Sequence, residues 1–231
     1  GYGRMDLYLY DFYRRDMDAG ILTRREAREY IAEMYMKLRG QFFSFGGRLE
    51  DGSDATNEMS YVALEAYDLI GDYNNLGVMW HSDIDPDYYA YACDVLARHG
   101  ESIPVLINWD IMHDSLLRCG VPESEAWKVV YSGCQWYCLP GQEWCGHDTS
   151  LINVVKAMDR ALDRAAADGV SDFETLYRYY EEELHVTMRA FQNAEAAIDR
   201  VRGESQPEMY TSMISHGPIE RGLDMTAPRG V

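Results

Sequence analysis

The chain has 231 residues, of which 39 are acidic and 21 basic, and its formal net charge is −18. A surface this acidic repels phosphate backbones and anionic lipid headgroups, so the charge argues against nucleic-acid binding and membrane binding. Hydrophobic residues make up 47% and aromatic residues 13% of the chain, which indicates a packed globular interior. No apolar run reaches the roughly 18 residues that a membrane-spanning helix requires.

Helical periodicity dominates the chain, because apolar residues recur at spacings of three and four. Capping boxes open two of the predicted helices, at Thr23-Arg-Arg-Glu26 and at Ser171-Asp-Phe-Glu174. Phe42-Phe43 is predicted to turn into the Gly46-Gly47 pair. The predicted helices cover residues 4–18, 23–40, 58–69, 86–99, 110–119, 122–130, 150–167 and 171–202, and short apolar runs predict buried strands at 76–80 and 103–107. Long helices with a few short buried strands predict an α/β or helix-rich mixed fold.

The segment 131–148 is the most unusual part of the chain. It contains three cysteines, two tryptophans and the pair His147-Asp148, and its glycines and prolines break regular structure. A loop of this size in a compact domain is usually functional or disordered. Cysteine and aromatic side chains normally bury, so the composition favours an ordered, buried active-site loop.

Cys134 follows Gly133 and has several possible roles: nucleophile, metal ligand, radical carrier or small buried hydrophobic residue. The cysteine spacing lacks the second short pair of a structural zinc site, so no metal is expected. A thiol hydrolase could pair Cys134 with His147. Adjacent side chains of an extended chain point to opposite sides, so the group orienting that base would come from elsewhere than Asp148. Five cysteines, an odd number in a chain of this length, favour the reducing cytoplasm.

Two further polar features have simpler interpretations. The polar run 52–58 precedes a predicted helix and is expected to supply turns and a helix cap. His81 ends a predicted strand, and a histidine in that place is more often a hydrogen-bonded structural residue than a catalytic one.

Four stretches together resemble the glycyl radical enzymes, the family of pyruvate formate-lyase and the glycerol and choline radical lyases. Residues 52–60 are similar to the family element G-x-D-A-T-N-E-L-S, and residues 219–226 to I-E-R-G-x-D-I-T. Residues 133–148 resemble the cysteine loop, which has Gly-Cys, then Pro-Gly, then His-Asp in the same spacing. The helix at 22–27 is also similar. The order matches along nearly the whole chain, which is identified as a member of this family.

The resemblance implies a role for Cys134 as a transient thiyl radical that abstracts hydrogen from a small organic substrate. It implies a barrel of two parallel five-stranded halves wrapped by helices, with residues 1–231 as a helix-rich central part of that domain. The glycyl radical motif R-V-x-G-Y is not found in this sequence, so we expect part of a larger enzyme, inactive alone. This segment is expected to bind no cofactor itself. A separate S-adenosylmethionine-dependent activating enzyme would install the radical, and the full-length anaerobic enzyme would be a homodimer.

Two positions depart from the family pattern. Trp136 stands where dehydratase members have a glutamate, and Gly133 stands where pyruvate formate-lyase has a second cysteine. Asp148 matches a substrate-contacting aspartate, and the predicted substrate-binding residues are Trp136, Tyr137, His147 and Asp148. Aromatic rings beside the thiol predict an aromatic or apolar substrate and carbon–carbon bond chemistry rather than dehydration. The alternatives are the thiol hydrolase and a truncated packing module without catalysis.

Overall fold

The computed structural model describes residues 2–71, 75–100, 103–132, 136–142 and 152–224. The chain divides into two compact units, Gly1–Cys145 and Gly146–Val231, which are described separately. Among the described residues, every helix is either too short or too polar to cross a lipid bilayer.

The first unit is built around a sheet of three parallel strands. They are β1 (Phe42–Gly46), β2 (Asn75–Trp80) and β3 (Val105–Asn108), arranged in the order β1-β2-β3. Helices connect successive strands, as a parallel pairing requires. The helices of this unit are α1 (Met5–Tyr8), α2 (Tyr10–Asp18), α3 (Arg24–Lys37), α4 (Glu58–Ile70), α5 (Pro86–His99), α6 (Trp109–Arg118) and α7 (Glu123–Ala126).

The core of the first unit lies between the sheet and helices α3, α4 and α5. Strands β1 and β2 are buried along most of their length, which explains their nearly continuous apolar sequences. Tyr35 from α3 and Tyr88 from α5 are fully buried against this sheet. The α/β class predicted from the sequence is therefore confirmed.

Three predicted elements differ from the structure. The predicted turn at Phe42-Phe43 is wrong, because Phe42–Gly46 forms β1, which pairs with β2. The helix predicted over residues 4–18 divides at Leu9 into α1 and α2. The helix predicted over residues 122–130 ends at Ala126, and Val130 already belongs to a strand.

Helix caps explain where several helices begin. The capping box at Thr23 is present, with the Thr23 side chain accepting from Glu26 N. Asn57 caps α4 and Asp85 caps α5 by accepting backbone N–H groups. At the second predicted box, the cap of α9 lies one residue later than predicted. Asp172 rather than Ser171 is the cap, and its side chain accepts the N–H of Thr175.

The second unit is helical. Helices α8 (Val154–Asp168) and α9 (Phe173–Ser205) form a hairpin, followed by α10 (Met209–Ile214) and α11 (His216–Arg221). The hairpin packs small alanines of α8 against Tyr179, whose hydroxyl donates to Asp168 Oδ2 at 2.9 Å. The guanidinium of Arg164 lies 3.8 Å from the centroid of the Tyr179 ring.

Candidate active site

The predicted cysteine loop contains a short β-hairpin in the first unit. Strands β4 (Val130–Ser132) and β5 (Trp136–Cys138) pair antiparallel, with Ser132 opposite Trp136. The connecting residues 133–135, which include Cys134, lie outside the described residues. Cys134 is thus two residues along the chain from the last residue of β4 and two from the first residue of β5.

Strand β4 is held against the parallel sheet. All three of its residues are buried. The hydroxyl of Ser44, in β1, donates to the carbonyl oxygen of Tyr131 at 3.0 Å, and the bond is shielded from solvent. The ring of Phe42 meets the ring of Tyr131 edge-on, with centroids 6.0 Å apart. Among the described contacts, this hydrogen bond and this ring contact join β4 to β1.

Gly77 of β2 provides the space that the Tyr131 ring occupies. A Cβ atom on Gly77 would lie 2.6 Å from Tyr131 Cδ1 and 2.9 Å from Tyr131 Cβ, closer than non-bonded carbons tolerate. Position 77 therefore requires glycine for a steric reason.

We expect the substitution Gly77→Ala to lower the free energy of unfolding by about 1–3 kcal/mol, because the added methyl group overpacks the contact with Tyr131. Chemical denaturation of the 231-residue chain measures this. In a Tyr131→Ala background, which removes the ring, Gly77→Ala should cost clearly less. An equal cost in both backgrounds would show that the methyl group does not act through Tyr131.

The two described aromatic residues of the predicted site are more exposed than expected. Trp136 and Tyr137 expose 42% and 40% of their surface, so the expected burial of this loop is wrong for both. The reason is their place on β5, which among the described residues pairs with β4 alone. The other predicted site residues, Cys134, His147 and Asp148, lie outside the described residues.

His81 is a structural histidine, as its sequence context predicted. It is fully buried at the end of β2, with Nε2 3.0 Å from Asp54 Oδ1. Its Nδ1 accepts the N–H of Asp83 at 3.2 Å, which assigns the proton to Nε2 and makes Nε2 the donor to Asp54.

Asp54 ties the 52–60 motif to the start of α5. Burial raises the pKa of its carboxyl, but N–H groups of Thr56 and Asp85 and the imidazole of His81 more than compensate. The pKa of Asp54 therefore lies below its ordinary value, and Asp54 is a stable acceptor rather than a proton carrier. This confirms the prediction that the motif supplies turn and cap chemistry.

Two buried charged residues, Arg4 and Asp6, which periodicity did not reveal, both bond to Gly46 where β1 ends. Asp6 is fully buried, and its Oδ2 accepts from the N–H of Gly46 and from the hydroxyl of Ser60, both at 2.7 Å. Arg4 donates from its Nη2 to the carbonyl oxygen of Gly46 at 2.7 Å. Burial raises the pKa of Asp6 to about 6, although the positive charge of Arg4 and the hydrogen bonds oppose the rise. The sequence signal that could have revealed this site is the acidic residue Asp6 directly after the apolar residue Met5.

The raised pKa of Asp6 predicts a pH dependence of stability. The pKa is about 6 in the folded chain and about 3.9 in the unfolded chain. Because the pKa of Asp6 is higher in the folded chain, protonated Asp6 contributes to the free energy of unfolding. This contribution is fully present below pH ~4 and is lost as pH rises through ~6, a change of about 3 kcal/mol. Urea denaturation at several pH values should show this dependence removed in Asp6→Asn. The exposed control Asp11→Asn should keep the wild-type slope, and a wild-type slope in Asp6→Asn would contradict the assignment.

Arg48 connects the carboxyl ends of all three parallel strands. It follows β1, and it donates to Asp83 Oδ2 after β2 at 2.7 Å and to Asp110 Oδ1 after β3 at 3.0 Å. It also donates to the carbonyl oxygen of Gly52 at 2.9 Å. In open parallel sheets, ligands bind at this edge. Within the described part of the chain, no three His, Cys, Asp or Glu side chains are grouped for a metal ion.

The third motif lies in the second unit. Asp224 accepts from the N–H of Glu208 at 3.1 Å and from the hydroxyl of Ser212 at 2.9 Å, so it closes the α10–α11 turn. Its role among the described contacts is structural.

Comparison with known proteins agrees with the family resemblance. The family model "Pyruvate formate lyase-like" matches residues 1–230. The isethionate sulfite-lyase of Bilophila wadsworthia (strain 3_1_6) is 29% identical over 181 residues, covering 69% of this chain and 22% of that protein. The probable dehydratase YbiW of Escherichia coli (strain K12) is 25% identical over 264 residues, covering 95% of this chain and 32% of that protein.

A solved structure describing 1,2-propanediol dehydration in Roseburia inulinivorans has the same fold. It superposes with a TM-score of 0.81 at 22% identity, covering 97% of this chain and 32% of that chain. The chain therefore spans between a fifth and a third of the length of these relatives.

The predicted carbon–carbon chemistry on an aromatic substrate is wrong. The relatives are dehydratases and a sulfite-lyase, which remove hydroxyl or sulfonate groups. That prediction rested on the aromatic residues Trp136 and Tyr137, which lie close to Cys134 in the sequence.

Proposed function

Because this chain belongs to the pyruvate formate lyase-like family of glycyl radical enzymes, we propose that it provides the cysteine-bearing part of a radical lyase. The reaction is the elimination of a hydroxyl or sulfonate group from a small aliphatic alcohol. The observation that supports this most strongly is that the strands on either side of residues 133–135 pair as a hairpin, and the first of these strands is buried against a parallel sheet.

In the proposed reaction the sulfur of Cys134 exchanges hydrogen with the substrate. The thiyl radical takes a hydrogen atom from the carbon that bears a hydroxyl group, which forms an S–H bond and leaves a carbon radical. That hydroxyl then loses its proton to a base, and the neighbouring carbon expels hydroxide or sulfite, which takes up one proton and leaves as water or hydrogen sulfite. The product radical recovers a hydrogen atom from the Cys134 thiol, so the sulfur ends the cycle as it began. Atoms and electrons balance without an external oxidant.

Proton transfer in this scheme falls to residues other than Trp136. The indole N–H donates a hydrogen bond and cannot accept a proton. Asp148, which matches a substrate-contacting aspartate of the family, is our candidate for the proton acceptor, with His147 beside it.

The remaining parts of the proposal concern the complete protein. A glycyl radical would be stored outside these 231 residues and installed by an S-adenosylmethionine-dependent activating enzyme. The three-stranded sheet would belong to a ten-stranded barrel, which would shelter the radical from water and from competing hydrogen donors. A homodimer is expected, as in the family.

The test uses the complete protein, activated without oxygen and supplied with 1,2-propanediol or isethionate. Electron paramagnetic resonance quantifies the glycyl radical, and propanal and sulfite are the products measured. We expect a radical signal and turnover of one of the two substrates. A stable radical with neither product contradicts the proposed leaving groups, and activation without any radical contradicts the radical mechanism itself.

A further inference from the structure

We infer that Ser44 is a positioning residue for Cys134, acting through the backbone of Tyr131. The inference rests on the proposed function, because it assigns Ser44 a role in that reaction. Ser44 is fully buried in the middle of β1, and neither the cysteine motif nor the 52–60 motif includes it.

The register of the parallel sheet brings Ser44 and Gly77 side by side. Ser44 of β1 is the pairing partner of Gly77 of β2. Phe42 lies two residues before Ser44, and side chains two apart along a strand share a face. All three residues contact Tyr131: Phe42 meets the edge of its ring, Gly77 leaves room for its ring, and Ser44 bonds its carbonyl oxygen. We call Phe42, Ser44 and Gly77 the Tyr131 socket.

The hydroxyl of Ser44 has a specific purpose in this socket. A buried hydroxyl group costs free energy unless it is hydrogen-bonded, and the strand around Ser44 is otherwise apolar. The carbonyl oxygen that accepts this hydrogen bond lies outside the parallel sheet, at Tyr131 of β4, 87 residues further along the chain. The bond therefore fixes one point of β4 relative to β1.

That fixed point is close to Cys134 along the chain. Tyr131 is three residues before Cys134, and consecutive Cα atoms are about 3.8 Å apart, so a shift of β4 is transmitted within a few bonds. Hydrogen abstraction requires the reacting atoms about 3–3.5 Å apart, and a misplacement of about 1 Å can lower the rate by roughly 10²-fold.

The test compares Ser44→Ala with a matched control, Tyr35→Phe. The control also removes one buried hydroxyl that donates to a backbone carbonyl, Ala63 O at 3.3 Å, but between α3 and α4. In the activated complete protein we expect kcat per glycyl radical to fall roughly ten- to hundredfold in Ser44→Ala, with radical content unchanged. Tyr35→Phe should stay within about twofold of wild type. Should Ser44→Ala fail to fold, Ser44→Cys fills the site with a slightly larger side chain and replaces the hydroxyl by a weaker hydrogen-bond donor.

A second measurement does not depend on radical chemistry. Iodoacetamide labelling of Cys134, followed by mass spectrometry, should be severalfold faster in Ser44→Ala than in wild type or Tyr35→Phe, because the hairpin is less constrained. Equal turnover per radical and equal labelling in the two variants would overturn the inference. If wild type has a radical but no turnover while labelling still separates the variants, the proposed function fails and the positioning role of Ser44 stands.

Discussion

Replacement of Cys134 by serine is expected to abolish product formation and to leave the glycyl radical of the activated protein intact. A thiol S–H bond is weak enough for a hydrogen atom to pass between Cys134 and a substrate carbon. The O–H bond of serine is stronger, so serine cannot form the corresponding oxygen radical. We expect turnover to fall by at least ~10⁴-fold, the scale on which other enzymes respond to loss of the group that attacks the substrate. Product formation and the radical signal are measured on the same sample.

The matched control is Cys138→Ser, which changes the same atom on the same hairpin. Cys138 pairs with Val130 at the far end of the two strands, away from residues 133–135. We expect this variant to keep most of its activity. Turnover by Cys134→Ser, or loss of activity only in Cys138→Ser, would show that Cys134 does not carry the thiyl radical.

The second large effect is expected at Arg4. Arg4→Met should lower the free energy of unfolding by about 3–5 kcal/mol at pH 7, because the buried carboxylate of Asp6 would lose the nearby positive charge and Gly46 O would lose its hydrogen bond. Urea denaturation of the 231-residue chain measures the loss. Removing the positive charge also raises the pKa of Asp6 further, so the penalty should shrink at acidic pH, where Asp6 is protonated.

Two variants define this effect. Arg14→Met removes an exposed arginine whose ion pair with Glu58 spans 3.4 Å, and its expected cost is only ~0–1 kcal/mol. Adding Asp6→Asn to Arg4→Met should recover much of the lost stability, because the unpaired carboxylate is gone. Equal costs for Arg4→Met and Arg14→Met would show that the buried charge of Arg4 is not the source of the stability.

Local signals predicted the elements whose causes are local. The sequence predicted a capping box at Thr23 and a helix cap within residues 52–58, and helices begin at both places. It also predicted the helix over residues 86–99, which ends at His99 before Gly100. Strand β1 was missed because its partner, β2, lies some 30 residues further along the chain, and its flanking glycines resemble a turn. The hairpin strands have three residues each, too few to display a period of two.

The candidate site shows the same division. The cysteine motif is contiguous, so the sequence alone predicts a role for Cys134. The Tyr131 socket was invisible, because Ser44 and Gly77 become neighbours only through the sheet register. The substrate class was wrong because it was inferred from the aromatic rings next to Cys134 in the sequence, whereas the relatives are dehydratases and a sulfite-lyase. Exposure on β5 depends on which strands pair, and that information is not local.

Cleavage of a substrate C–H bond is the central claim, and an isotope comparison measures it most directly. The activated complete protein is given substrate carrying hydrogen or deuterium on the hydroxyl-bearing carbon, and initial rates are compared, with unactivated protein in air as the control. We predict slower turnover of the deuterated substrate and no product from unactivated protein. Equal rates together with turnover by unactivated protein would contradict the radical account and favour a thiol hydrolase that uses Cys134 and His147.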